Sequence, residues 1–167
     1  FTGGDACEPY VIERLAGQCD LHNLYGPTEA TVLVTHRTLQ LGDSNRNVGR
    51  PIANSQVLIL DDELQPVDEQ VIGELYIVGP GVSLGYLNAV QLPVSPFIKL
   101  ALPGGQTVRA YRSGDLAKWT AEGIELGGRR DSQVKIRGIR GEPQEIEQWL
   151  RDSRLYRQLA VVIDDKY

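Results

Sequence analysis

Four short motifs follow one another in a fixed order along the chain, and this order constrains the fold more than any other feature. The motifs are YGPTE at 25–29, GEL at 73–75, YRSGDL at 111–116 and GRRDSQVKIRG at 128–138. They supply a hydroxyl, two carboxylates and a guanidinium over about a hundred residues, and such distant groups converge only in a particular fold. The motifs therefore predict one composite site rather than four independent turns.

Composition and charge exclude several classes of protein. Of the 167 residues, 41% are hydrophobic and 23% are charged, which is typical of a soluble globular protein with a sizeable core. No apolar stretch approaches the roughly 20 residues that cross a bilayer, and residues 1–20 lack the features of a secretory signal. The net charge of −5, with Lys and Arg clustered only at 129–140, argues against a nucleic-acid partner. We therefore expect a cytoplasmic protein that binds neither membrane nor nucleic acid.

Hydrophobic periodicity and turn residues predict a short helix followed by several short strands. Strands separated by turn signals from residue 47 onward suggest a small β-barrel or curled sheet, and the segment 90–107, rich in proline and glycine, is predicted to be a loop-rich insertion. A second, amphipathic helix opens at Glu142-Pro143. The first predicted helix covers 8–16, and the predicted strands cover 21–24, 31–39, 56–60, 73–78, 116–119, 124–126, 133–137 and 159–164.

The first motif has the chemistry of a phosphate and metal site. Gly26-Pro27 forces a tight turn whose backbone amides can meet phosphate oxygens. Thr28 offers a hydroxyl donor, and Glu29 offers a hard carboxylate of the kind that holds magnesium beside substrate phosphates. Tyr25 is a flat ring that can stack on a base. A simple turn with an exposed acid explains these residues equally well at this stage.

The third motif places a carboxylate after a bend. Ser113 and Gly114 are small enough to bend the chain and to present Asp115. A carboxylate that accepts from two vicinal hydroxyls is a common means of recognising ribose, and the alternative is an aspartate that caps a turn. Arg129 would add a cationic contact to ribose or phosphate oxygens through its forked donors.

The motifs resemble those of a known family. Residues 23–29 match the Asn-x-Tyr-Gly-Pro-Thr-Glu signature of the adenylation domains of nonribosomal peptide synthetases, which belong to the adenylate-forming superfamily. Residues 73–87 resemble the next signature, with Leu84 where arginine is usual. The sequence QVKIRG at 133–138 favours the peptide synthetase members of this superfamily. The resemblance extends from Phe1 almost to the end of the chain and covers the C-terminal part of an adenylation domain.

The resemblance implies an α/β fold with a β-barrel-like subdomain, which is part of the adenylate-forming fold. Residues 1–40 would form the end of the α/β nucleotide-binding core, and 41–130 the β-barrel-like subdomain of that large core. Residues 131–167 would form the hinge and the start of the small α+β C-terminal lid. Asp131 would be the hinge about which the lid rotates between two half-reactions. The strand-like ends of the sequence likewise predict a piece of a longer protein.

The resemblance also implies contacts to the nucleotide. Tyr25 would stack on adenine, and Asn23 would lie at the adenine edge. Thr28 would contact the α-phosphate, and Glu29 would hold magnesium. Leu126 stands where an aromatic residue is usual, which would make one stacking face aliphatic. A backbone turn formed by Gly3, Gly4 and Asp5 would line the adenine pocket, and Gly26 would be a further nucleotide contact. The substrate pocket would be lined by Phe1, Gly3, Leu24, Val32 and Leu33.

The implied activity is ATP-dependent activation of a carboxylic acid, such as an amino acid, as an acyl-adenylate with release of pyrophosphate. The acyl group would then pass to the phosphopantetheine thiol of a carrier-protein domain in the same polypeptide, and a condensation domain would be a further partner. Pro143 and Gln144 depart from the family's lid sequence, so the resemblance supports the thioester step less strongly than the adenylation step. An acyl-CoA ligase and a non-catalytic scaffold remain as alternatives. We expect the chain by itself to be inactive.

Overall fold

The computed structural model divides into two compact units, Phe1–Arg130 and Asp131–Tyr167, which are described separately. No helix in the described part of the chain is long and apolar enough to cross a membrane. The described residues are 1–87, 95–131, 133–136, 139–153 and 160–162.

The first unit begins with a small α/β layer. It contains β1 (Thr2–Gly3), α1 (Pro9–Leu15), β2 (Leu21–Tyr25) and β3 (Thr35–Leu39). Helix α1 starts at Pro9. Proline is favoured in the first turn of a helix, because the backbone N–H groups there have no acceptor within the helix and the missing N–H of proline costs no hydrogen bond. Strand β2 pairs in parallel with β1 and antiparallel with β3. Helix α1 buries Ile12 against a small cluster that contains Cys7, Leu21 and Leu39.

The rest of the first unit extends this sheet. The added strands are β4 (Asn47–Pro51), β5 (Gln56–Leu60), β6 (Gly73–Val78), β7 (Phe97–Ala101), β8 (Thr107–Thr120) and β9 (Gly123–Arg129). In the described part of the chain the order is β1-β2-β3-β4-β9-β8-β6-β5, with β7 also paired to β8. The long strand β8 therefore connects β6, β7 and β9. The main core is the buried cluster of Tyr25, Ala30, Val34, Val48, Val57, Ile59, Leu75, Ile77, Tyr111, Ala117 and Ile124.

Close backbone approach explains one glycine in this sheet. Gly49 in β4 lies between β3 and β9, and its φ is 77°. A Cβ atom at this position would lie 2.0 Å from the His36 carbonyl oxygen. Real Cβ atoms do not approach an oxygen so closely, and a side chain there would push β3 and β4 apart.

Most of the predicted elements agree with the structure, but the strand predicted at 31–39 is wrong over its first part. Residues Thr28–Ala30 form a short 3-10 helix, Thr31 and Val32 follow with φ of 59° and 70°, and β3 starts only at Thr35. β-branched residues favour strands locally, but here tertiary contacts override the preference. Thr31 Oγ1 donates to the Gly81 carbonyl oxygen at 2.7 Å, and Val34 N donates to the Tyr25 carbonyl oxygen at 2.8 Å.

The loop-rich insertion predicted at 90–107 is also corrected. Its first residues lie outside the described part of the chain, but Phe97–Ala101 forms β7, which pairs with β8 from Tyr111 to Thr107. Proline and glycine at the ends of this segment obscured five residues with strand character. Leu100 is buried there beside Leu60, Tyr76 and Ala110.

The second unit contains a hairpin and a helix. Strands β10 (Val134–Ile136) and β11 (Ile139–Gly141) pair antiparallel, and α2 (Pro143–Asp152) follows with proline in its first turn. Ile146 and Trp149 of this helix are 49% and 74% exposed. The strand predicted at 159–164 is not formed over 160–162, and its other residues lie outside the described part of the chain. Residue 137, at the end of the strand predicted at 133–137, and the side chain of Gln144 also lie outside it.

Candidate functional site

A bulge in β8 presents Asp115. Between two pairs of register partners, Glu74–Leu116 and Tyr76–Arg112, β6 advances two residues while β8 advances four. Such extra residues bend a strand and redirect its side chains. Gly114 occupies the bulge with φ 76°, a conformation that glycine adopts without steric cost.

Hydrogen bonds from Ser113 fix the shape of this bulge. The Ser113 hydroxyl is buried and donates to the Leu75 carbonyl oxygen at 2.7 Å. The Ser113 hydroxyl oxygen also accepts from the Asp115 backbone N–H at 3.0 Å. Ser113 therefore connects the bulge to β6 and sets the direction of the Asp115 side chain.

The Asp115 carboxylate joins three of the four motifs. Tyr25 Oη donates to Asp115 Oδ2 at 2.5 Å, and Arg129 Nη1 donates to Asp115 Oδ1 at 2.6 Å. Arg129 Nη2 also donates to the Ser113 carbonyl oxygen at 3.0 Å. The side chains of Arg129 and Asp115 are only 17% and 15% exposed. An ionised carboxylate has about four acceptor positions, and the bonds from Tyr25 and Arg129 occupy two of them.

Burial keeps the Tyr25 hydroxyl protonated. The ring lies in the main core and is 8% exposed. Its pKa is raised well above 10.0, first because burial disfavours the phenolate and then because Asp115 carries a negative charge, while Arg129 opposes the change. Tyr25 is therefore a lasting hydrogen-bond donor to Asp115.

Thr28 and Glu29 form the start of the 3-10 helix. Thr28 is exposed, whereas Glu29 is buried at 6% exposure. Tyr86 Oη donates to Glu29 Oε1 at 2.5 Å, and Ser83 N donates to the Glu29 carbonyl oxygen at 2.8 Å. Magnesium binds through one or two protein carboxylates together with substrate phosphates and waters, and Glu29 fits this type of donor.

The residues proposed for the adenine pocket lie on β1, β2, β9 and the loop after β1. Gly3 approaches β2 so closely that a Cβ there would lie 2.8 Å from the Leu24 carbonyl oxygen, and Gly4 has φ 83°. Asp5 Oδ1 accepts from the Ala6 N–H at 2.8 Å. Asn23 is buried in β2, where its Nδ2 donates to the Asn47 carbonyl oxygen at 2.9 Å. Leu126 in β9 packs against the main core.

The residues proposed for the substrate pocket have polar neighbours that sequence reasoning missed. Phe1 is 90% exposed and stacks on His22 with ring centroids 5.1 Å apart. His22 Nδ1 lies 2.9 Å from His36 Nε2. His22 and Leu24 alternate with buried residues along β2, so they share one face of the sheet. His22 and His36 lie on different strands, so only the register of β2 and β3 could have predicted that the two rings meet.

Tyr86 and Arg109 were also missed by sequence reasoning. Tyr86 stands inside the second signature, but only the structure brings it to Glu29. Arg109 Nη2 donates to the Leu84 carbonyl oxygen at 2.8 Å, and its Nη1 donates to the Ser83 carbonyl oxygen. The guanidinium also lies 4.8 Å from the centre of the Phe97 ring. No sequence motif predicted these contacts.

Comparison with known proteins assigns the chain to a class. The family model described as AMP-binding enzyme matches residues 1–87, and the chain belongs to this family. This match confirms the resemblance to adenylate-forming enzymes.

The similar proteins are nonribosomal peptide synthetases. The chain is 44% identical over 163 residues to nonribosomal peptide synthetase kk1B of Curvularia clavata, a match that covers 95% of this chain and 1% of that protein. It is 45% identical over 152 residues to phosphinothricin tripeptide synthetase PhsB of Streptomyces viridochromogenes, covering 88% of this chain and 13% of that protein.

Solved structures give the same result. The structure of PA1221, a nonribosomal peptide synthetase protein containing adenylation and carrier (PCP) domains, matches with TM-score 0.80 and 31% identity over 89% of this chain and 32% of that chain. NpsA-ThdA, an artificially fused adenylation–PCP di-domain from Klebsiella oxytoca, matches with TM-score 0.77 and 29% identity over 93% of this chain and 32% of that chain. The chain thus spans less than a third of the length of each protein named above.

Proposed function

We propose that this chain is the part of an adenylation unit that holds the nucleotide while a carboxylic acid is activated by ATP. The observation that carries the proposal is the convergence of three sequence motifs on Asp115, through bonds of 2.5 Å from Tyr25 and 2.6 Å from Arg129. A bulge, a buried tyrosine and an arginine together fix the position of one carboxylate. Such fixed polar groups are typical of a binding site that is formed before its ligand arrives.

In this proposal Asp115 accepts hydrogen bonds from the ribose hydroxyls through its remaining acceptor positions. Arg129, held by Asp115 and by the Ser113 carbonyl oxygen, contributes positive charge near the ribose and phosphate oxygens. Thr28 donates its exposed hydroxyl to the α-phosphate. The adenine lies among the residues proposed for it, namely Gly3, Gly4, Asp5, Asn23, Tyr25, Gly26 and Leu126.

Glu29 would hold a magnesium ion, which when bound neutralises charge on the phosphate oxygens. The chain's own contribution is to keep the Glu29 carboxylate in place at the first turn after the YGPTE loop. The exposed Thr28 next to it is compatible with a phosphate that reaches the same turn.

The proposed reaction has two steps. A carboxylate oxygen of the substrate attacks the α-phosphorus of ATP, a P–O bond forms, and the bond to pyrophosphate breaks. The phosphopantetheine thiolate of a carrier domain then attacks the acyl carbon, and AMP leaves. The adenylation–PCP neighbours support the carrier domain as partner, and a condensation domain would follow in the same assembly. Asp131, the first residue of the second unit, would act as the hinge.

The substrate is proposed to be an acid with an uncharged side chain. Phe1, Gly3, Leu24, Val32 and Leu33, the residues assigned to the pocket, carry no charge, so none of them offers an ionic partner to a charged side chain of the substrate. Val32 also has φ 70°, a rare conformation for a β-branched residue. Such outliers are concentrated at functional sites, which supports a role for this turn in the pocket.

The test is substrate-dependent exchange of labelled pyrophosphate into ATP. It uses an adenylation unit as long as the solved relatives that contains this sequence, with a panel of apolar amino, hydroxy and aryl acids. We expect exchange with at least one acid. Asp115→Ala should lower kcat/KM for ATP about 100-fold, which corresponds to the loss of one or two charge-assisted hydrogen bonds.

The matched control for this substitution is Asp62→Ala. Asp62 also pairs with an arginine, Arg130, at 2.5 Å, but its side chain is 69% exposed, and exposed pairs contribute little. This variant should keep the kinetics of the wild type. A unit that catalyses no exchange with any acid would support the scaffold alternative, and an unchanged kcat/KM for ATP in Asp115→Ala would remove the proposed role of Asp115.

A further inference from the structure

We propose that Tyr86 is a positioning residue that orients the Glu29 carboxylate for the metal ion and thereby sets how strongly the metal strengthens nucleotide binding. The inference rests on the function proposed above, because it concerns the same site. It goes beyond that function by giving a role to Tyr86, a residue of the second signature to which the proposed function assigns none.

The contact itself is direct. Tyr86 Oη donates to Glu29 Oε1 at 2.5 Å, although the two residues are 57 positions apart in sequence. Glu29 is only 6% exposed, whereas Tyr86 is 42% exposed. A hydroxyl that reaches a buried carboxylate from outside the main core fixes the torsion angles of that carboxylate.

The loop that carries Tyr86 is docked onto the turn that carries Glu29. The Ser83 N–H donates to the Glu29 carbonyl oxygen at 2.8 Å, and Thr31 Oγ1 donates to the Gly81 carbonyl oxygen at 2.7 Å. A Cβ on Gly81 would lie 3.2 Å from the Ala30 carbonyl oxygen, so the two backbones are close along this contact. The Tyr86–Glu29 bond is therefore one part of a continuous interface.

The other side of the same loop is held by β7 and β8. The Tyr86 ring packs edge-on against Phe97, with centroids 5.5 Å apart, and Phe97 packs on Tyr111 at 5.3 Å. Arg109 covers Phe97 and donates to the carbonyl oxygens of the loop at Ser83 and Leu84. With its ring packed and its hydroxyl bonded, Tyr86 has little freedom to move away from Glu29.

This arrangement has the properties of an outer contact to a metal ligand. Groups that hydrogen-bond a ligating carboxylate orient it, and their removal typically lowers metal affinity by about 10–100-fold. The Tyr86 hydroxyl holds Oε1 and so fixes the direction in which Glu29 presents its oxygens. Loss of this hydroxyl should weaken the metal's contribution and leave the metal-independent contacts to the nucleotide unchanged.

The experiment measures binding rather than turnover. The adenylation unit is titrated calorimetrically with the non-hydrolysable analogue α,β-methylene-ATP, once with Mg²⁺ and once with EDTA. The ratio of the two dissociation constants is the metal-dependent gain. In Tyr86→Phe, which keeps the ring, we expect this gain to fall about tenfold while the affinity in EDTA stays that of the wild type.

Two further variants separate positioning from a merely structural role. Tyr76→Phe is the matched control, because Tyr76 also contacts a buried glutamate, Glu74, but outside the site; its metal-dependent gain should equal that of the wild type. Glu29→Gln should abolish the gain, and Tyr86→Phe in the Glu29→Gln background should then have no additional effect. A structural role would instead lower affinity equally with and without metal, and the two substitutions would add.

The outcomes distinguish this inference from the proposed function. If the wild type binds the analogue more tightly with Mg²⁺ and Tyr86→Phe keeps the full gain, the role of Tyr86 is wrong and the proposed function stands. If the wild type does not bind the analogue at all, the proposed function itself fails.

Discussion

Two clusters on the same sheet combine a carboxylate, arginine and tyrosine, yet their geometries differ. In the Asp115 cluster, which is Asp115, Arg129 and Tyr25, one arginine nitrogen and one tyrosine hydroxyl each bond a different carboxylate oxygen, at 2.6 and 2.5 Å. The carboxylate side chain keeps 15% exposure. The Glu74 cluster comprises Glu74, Arg112, Arg130 and Tyr76.

In the Glu74 cluster the charge is compensated by the protein alone. Arg112 holds the carboxylate with two nitrogens, at 2.7 and 2.8 Å, and Arg130 approaches it at 3.4 Å. Glu74 is only 2% exposed. The hydrogen bond that Arg112 donates to Glu74 raises the pKa of Arg112. The protein thus holds the buried Glu74 carboxylate with a bidentate arginine, whereas each oxygen of Asp115 accepts only one of these two bonds and keeps acceptor positions for a ligand.

The largest expected effect on stability belongs to the Glu74 cluster. Glu74→Gln leaves two arginines facing a neutral amide. Because these arginine side chains are 38% and 44% exposed and stay partly hydrated, the free energy of unfolding should fall by about 2 kcal/mol, less than for a fully buried pair. Urea-induced unfolding of the adenylation unit measures this, while the KM for ATP of the folded fraction should stay unchanged. A raised KM for ATP would remove the distinction between the two clusters.

The two tyrosines should respond unequally to loss of their hydroxyls. Tyr25→Phe removes a short bond to a charged acceptor and should cost about 1.5 kcal/mol in the free energy of unfolding. Tyr76→Phe removes a contact of 3.5 Å to a carboxylate that arginine already holds, so we expect a cost below about 0.5 kcal/mol. Parallel urea titrations compare the variants. Equal losses in the free energy of unfolding for the two variants would contradict the prediction, because they would show that the two tyrosine hydroxyls contribute equally.

The smallest expected effect is a pH dependence that belongs to Tyr25. Because the pKa of Tyr25 is raised in the folded state, its contribution is complete below pH 10 and decreases as the pH rises toward the folded pKa, since only the unfolded tyrosine ionises there. Between about pH 10 and 10.5 the wild type should lose stability relative to Tyr25→Phe, by less than about 0.7 kcal/mol. Tyr10→Phe, at an exposed position, is the control and should follow the wild type. Parallel curves for wild type and Tyr25→Phe would contradict the prediction.

The sequence predicted the elements whose signals are local. The first helix, most of the strands and the bend at Ser113-Gly114 follow from proline, glycine and alternating hydrophobic residues. The turn at Thr31 and Val32 could not be predicted, because β-branched residues favour strands. Here the hydrogen bond from Thr31 to Gly81 and backbone bonds within the turn hold the chain in the left-handed region. Strand β7 was missed for a related reason: its pairing with β8 outweighs the turn residues that flank it.

The sequence specifies which chemical groups are available to the proposed nucleotide site and the order in which they occur, because residue type and short-range turn geometry are local properties. Which of these groups meet depends on the folded chain. It pairs Arg129 and Tyr25 with Asp115, Tyr86 with Glu29, and Arg112 with Glu74. These partners lie on different strands, and contacts between strands depend on register and bulges, which no short stretch of sequence specifies.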